Sequence, residues 1–133
     1  MRRPADLEAG CFSPQVKPGA GPVRLAGPRW RSVLEAVGPT RIENTHPFTM
    51  DGRVMAHNGG FGDLALLEAE LGDAMSGVLG GTDSERYFAL ITRETARHDG
   101  DVTAGIASAA GWIAEHCPVS SLNTVVAVDG EVW

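Results

Sequence analysis

Two histidines, an asparagine followed by two glycines, and an aspartate at the head of a helix are the residues whose types and spacing could do chemistry. They fall in two stretches, R-I-E-N-T-H-P-F-T-M-D-G-R-V-M-A-H-N-G-G from Arg41 to Gly60 and G-G-T-D-S-E from Gly80 to Glu85. His46 and His57 could bind a metal, or could lie as hydrogen-bonded side chains at the end of a hairpin. A structural metal site needs further ligands, and neither H-x-x-x-H nor C-x-x-C spacing occurs. A metal-dependent hydrolase built on His46, His57 and Asp83 is therefore only a third reading, and no metal or cofactor is expected. Asn58-Gly59-Gly60 could be a plain turn. It could also aim an Asn amide and a Gly N–H at one point, as an oxyanion hole requires, with glycine letting a substrate approach the backbone. Asp83 could serve the helix dipole alone or hold a substrate ammonium. Cys117, at the end of an apolar stripe and before Pro118, reads as core.

These residues need elements to hold them. Asp51-Gly52 is a strong signal for a two-residue hairpin turn, which requires positive φ at both central positions. Its arms run from His46 to Met50 and from Arg53 to His57. The register then pairs Met50 with Arg53, Thr49 with Val54, Phe48 with Met55 and His46 with His57. A Leu- and Ala-rich helix is expected from Phe61 to Leu71, then a Gly-rich connection over residues 72 to 81. Thr82-Asp83-Ser84-Glu85 is a capping box, with Thr82 accepting from the Glu85 amide while Glu85 reaches back. The helix it opens buries Tyr87, Phe88, Ile91 and Thr95 and shows Glu85, Arg86, Arg93 and Arg97 elsewhere. His98-Asp99-Gly100 closes it. A third helix runs from Asp101 to His116 on a stripe of Val102, Ile106, Ala109, Ile113 and Cys117. Leu122 to Asp129 reads as a strand apolar on both faces, expected to be buried between layers. Asp129-Gly130 makes a second hairpin turn, with Glu131-Val132-Trp133 returning.

Composition sets the outer limits. The 133 residues suffice for one modest core, with 43% hydrophobic and 21% charged residues. A net charge of −6 argues against a nucleic-acid surface. No apolar run spans a membrane, and Arg2-Arg3 has no apolar segment behind it to make a signal peptide. Two cysteines make no disulfide framework. A soluble cytoplasmic protein is the expectation. Residues 1 to 42 carry seven Lys/Arg against three acids, and six of the eight prolines. Residues 1 to 40 are therefore read as an irregular, Pro/Gly-rich basic arm, and 41 to 133 as the folded domain. A short helix over Trp30 to Val37 is the arm's one candidate element.

In combination, E-N-T-H-P-F, a strand ending A-H-N-G, and G-T-D-S-E opening a helix resemble the class II glutamine amidotransferases. They are similar in particular to the small stand-alone type that includes those of ergothioneine biosynthesis. The resemblance covers Arg41 to Trp133. It implies an α+β fold, part of the N-terminal-nucleophile hydrolase αββα sandwich of antiparallel sheets. It also implies hydrolysis of the amide of glutamine, or of a γ-glutamyl compound, through the thioester of an N-terminal cysteine. Asn58 and Gly59 would form the oxyanion hole, Asp83 would hold the α-ammonium, and His46 and His57 would support the substrate site. A synthetase that uses the ammonia is the implied partner.

The departures from that pattern lie upstream. The family begins Met-Cys, whereas this chain begins Met-Arg-Arg. Val33 stands where an Arg for the substrate carboxylate is expected and Ala36 where a Thr or Ser is, leaving Arg31 or Arg41 as stand-ins. Cys11 could become N-terminal only by removal of the residues before it, and Pro14 would interrupt the strand that follows. The expectation is a truncated, inactive amidotransferase domain. The alternative is a degenerate domain that binds a γ-glutamyl ligand or a partner subunit. Missing strands would leave sheet edges open to self-association.

Overall fold

Asp51 and Gly52 adopt φ of 49° and 72°, the doubly positive pair that a tight hairpin turn demands. In the computed structural model, which describes residues 23–24 and 42–133, this turn joins β2 (Phe48–Met50) to β3 (Arg53–Phe61). The expected pairs Met50↔Arg53, Thr49↔Val54 and Phe48↔Met55 all form. The fourth does not. The strand begins only at Phe48, after a cis His46-Pro47 peptide, so His46 stands outside the ladder that holds His57.

Past the hairpin the chain makes three helices and returns to the sheet. They are α1 (Leu64–Leu71), α2 (Asp83–Arg97) and α3 (Val102–His116), followed by β4 (Val119–Val128) and β5 (Glu131–Val132). The Gly-rich connection winds into a 3-10 turn over Gly72–Gly77. The second turn repeats the first, with Asp129 and Gly130 at φ of 51° and 79°. With Val23–Arg24 as β1, the sheet order is β1-β5-β4-β3-β2, every neighbour antiparallel. The product is mixed α+β, and no described helix is long and apolar enough to cross a membrane.

Three expectations need correction, and others fall outside the described residues. Val23–Arg24, inside the stretch read as an irregular arm, forms the edge strand β1 against Val132 and Glu131. Cys11, Arg31, Arg41 and the helix expected over 30–37 lie outside the described residues. Phe61 is not helical: it closes β3 opposite Val119, and Gly62 N–H donates to Pro118 O at 2.9 Å. Cross-strand pairing there overrides the helix propensity of the following Leu/Ala run. Lastly, β4 is not sealed on both faces. Val126 is fully buried, but its neighbour Val125 remains 39% exposed, as does Val54 across the ladder at 38%. Among the described residues the helices cover one face of the sheet.

The core lies between that face and α2. Met55 and Val126 from the sheet meet Tyr87, Phe88, Leu90 and Ile91, with Leu67 and Leu71 of α1 and Ala109 and Ile113 of α3 alongside. The α3 stripe lands as expected, with Val102, Ala109, Ile113 and Cys117 buried and Ile106 partly so. Asp101 Oδ1 caps the helix by accepting from Ala104 N–H at 3.0 Å. The two long helices cross at Gly105, where a Cβ would fall 2.7 Å from the Thr95 backbone N and Cα. Gly105→Ala must therefore push the helices apart, and a loss of about 1–3 kcal/mol is expected in urea unfolding. An unchanged midpoint would refute the close crossing.

Candidate functional site

Strand β3 and the head of α2 deliver the predicted residues to one end of the sheet. Thr82 is the N-cap, its Oγ1 accepting from Glu85 N–H at 3.2 Å. The helix therefore starts at Asp83 and places that half-exposed carboxylate in the first turn, where the helix dipole favours negative charge. Ser84 N–H donates to Asp83 Oδ1 at 2.8 Å and fixes the rotamer. The other oxygen faces the strand: a Cβ on Gly60 would stand 3.5 Å from Asp83 Oδ2 and 3.5 Å from Ser120 Oγ. Ser120 in turn donates to Gly60 O at 2.8 Å. Asp83 thus sits against the diglycine that follows Asn58.

Alternation along β3 separates the remaining candidates. His57 is buried on the helix side, whereas Asn58 is exposed and pairs across the ladder with exposed Asn123. The Asn58 side chain accordingly leaves from the face opposite His57, and the position nearest the Asp83 carboxylate is Gly60. Gly59 lies opposite Leu122, so close to β4 that a Cβ would be 2.6 Å from the Ser121 carbonyl carbon and nearer still to its oxygen. Glycine is a requirement of strand spacing here, whatever else passes over it.

Burial governs His57. Its Nδ1 is 2.9 Å from Ser84 Oγ, while Nε2 finds no hydrogen-bond partner among the described residues. The Tyr87 ring meets the imidazole edge-on at 5.5 Å. Desolvation pushes the imidazole below its usual range; the Asp83 charge pulls it back up, His46 pushes it further down, and the Ser121 backbone raises it. So His46, though off the ladder, is near enough to be felt, and its own ring packs edge-on against Phe48 at 4.6 Å. Because the folded pKa is lower than the unfolded one, the unfolded chain binds more protons between the two. Stability from this site is full above the ordinary value of 6.5 and falls as pH drops toward the folded pKa. Urea unfolding from pH 7.5 down to 5.5 should show this decline, and His57→Gln should flatten it; an equal slope in both would remove His57 as its source.

Glu85 is the residue that sequence reasoning misplaced. It was expected on the exposed side and reaching back to Thr82, yet it is buried. Its two oxygens instead accept from Leu79 N–H at 2.7 Å and Gly80 N–H at 2.6 Å. The next amide, Gly81 N–H, donates to Asn44 Oδ1 at 2.9 Å. Asn44 is itself buried and belongs to E-N-T-H-P-F. The two motifs are therefore in direct contact.

The chemistry on offer is recognition of a positive group by Asp83 over an approachable backbone. Ser84 touches an imidazole as an activated nucleophile would, but at 3% exposure it is out of a substrate's reach. Cys117 is buried, and desolvation followed by the Asp63 charge pushes its thiol up, away from the reactive thiolate. No group of three His, Cys, Asp or Glu among the described residues converges as a metal site. Comparison with protein-family models, with curated proteins and with solved structures gives no match.

Proposed function

We propose that residues 41–133 form a class II glutamine-amidotransferase-like domain that binds the amino-acid head of glutamine or of a γ-glutamyl compound. The observation that carries this reading is the placement of Asp83. One carboxylate oxygen is held by its own helix and the other faces Gly60, which suits an α-ammonium docked beside an extended strand. In the same reading the Gly59 backbone alone serves the amide end, because the Asn58 side chain leaves from the other face. The sheet, covered by helices on one side and bearing exposed Val54 and Val125 on the other, suits one half of an αββα sandwich. The thioester route needs a cysteine that the described part of the site does not contain, so the reading is one of binding.

Titration of the chain with L-glutamine, followed by amide chemical shifts, tests it. Binding is expected at Asp83, Gly59 and Gly60, with Asp83→Asn weakening it about tenfold by removing one charge-assisted contact. Equal binding by Asp83→Asn, or none by the unaltered chain, would sink the reading.

A further inference from the structure

The two halves of this proposed site sit on different elements, and one buried side-chain contact joins them. His57 immediately precedes Asn58-Gly59 on β3, Ser84 immediately follows Asp83 on α2, and His57 Nδ1 lies 2.9 Å from Ser84 Oγ. Both residues are at most 3% exposed. Ser84 also engages Asp83 twice, through its backbone N–H at 2.8 Å and its hydroxyl at 3.4 Å, both to Oδ1. Oδ2 is thereby left facing Gly60. The groups around the imidazole are Asp83, Ser84 and Tyr87 of α2, His46 from the segment before β2, and the Ser121 backbone of β4.

We propose that His57 and Ser84 are a positioning pair that sets the span between the Asp83 carboxylate and the Gly59 backbone, and so selects ligands by the distance from α-amino group to side-chain amide. The inference rests on the glutamine reading for its ligand and on the buried contact for its mechanism. Burial keeps His57 neutral near pH 7, so the link is a hydrogen bond between uncharged groups and holds without a counter-ion. Neither residue touches the ligand. Each acts through its neighbour, which is why the effect should appear as lost discrimination rather than as a general loss of binding.

The test compares L-glutamine with L-asparagine, which keeps the amine, carboxylate and amide but brings amine and amide one methylene closer together. The unaltered chain should favour L-glutamine. Ser84→Ala should reduce that preference about tenfold, the scale of one well-placed hydrogen bond, and Ser84→Thr, which retains the hydroxyl, should restore most of it. A uniform weakening of both ligands, with the ratio unchanged, would overturn the positioning role. If the unaltered chain binds neither ligand, the glutamine reading falls and the positioning claim is judged without ligand. The amide resonances of Asn58, Gly59 and Gly60 should then move in Ser84→Ala and return in Ser84→Thr. Unmoved resonances would overturn it.

Discussion

Gly59→Ala is expected to be the most damaging single methyl that can be added at a glycine among the described residues. The new carbon would lie 2.6 Å from the Ser121 carbonyl carbon, and the obstacle is backbone, which cannot rotate aside as a side chain can. Relief requires β3 and β4 to separate within their ladder, between the Asn58↔Asn123 and Gly60↔Ser121 pairs. A cost of about 3 kcal/mol is the scale for overpacking that forces backbone movement. Domains of this size have only about 5–15 kcal/mol in hand. Urea unfolding monitored by tryptophan fluorescence should show a much lower midpoint. Gly111→Ala, on α3 with open space around its Cβ position, serves as the control and should hold its midpoint or gain slightly. A Gly59→Ala midpoint within error of the parent would mean that the strands are not this close.

The second large effect is expected at Glu85. Its carboxylate is buried and accepts two backbone amides, from Leu79 and Gly80. Truncation to alanine removes the acceptor of both amides; a hydrogen bond to a charged group contributes about 1.5–3 kcal/mol, and at exposed Leu79 water replaces much of that loss. Glu85→Ala should therefore destabilise by about 2–3 kcal/mol. Glu85→Gln should cost less, because one oxygen still accepts, but not nothing, because an amide NH2 cannot. The local signature is a displacement of the Leu79, Gly80 and Gly81 amide resonances in both variants. A Glu85→Ala chain as stable as the parent would show that solvent satisfies those amides equally well.

How far the sequence could be read follows from which interactions are local. The hairpin register was legible because Asp51-Gly52 admits few turn types, and the turn type dictates the pairs. The cap at Thr82 and the stripe along α3 were legible for the same reason, as their partners lie within a turn of helix. Phe61 was misread because its partner, Val119, is far away in sequence. Glu85 was misread because helical periodicity places it on the charged side, while the loop that needs its carboxylate precedes the helix. The pairing of Val23–Arg24 depends on the second Asp-Gly turn returning β5 to the right place. Nothing within those two residues announces it. At the site, Asp83 and Gly59-Gly60 were legible as residue types, whereas the turning away of Asn58 and the Ser84 link to His57 emerge only from strand alternation and helix docking.

The bond from Gly81 N–H to Asn44 Oδ1 has a topological meaning as well as an energetic one. It pins together two points 37 residues apart, so the hairpin, α1 and the 3-10 turn between them form an excursion with fixed ends. The entropy of closing such an excursion grows only with the logarithm of its length. Residues added at its exposed tip, near Gly72–Asp73, would change the outline of the molecule while Asp83 and Gly59 kept their spacing. The site is insulated from length variation in the very segment that encloses it.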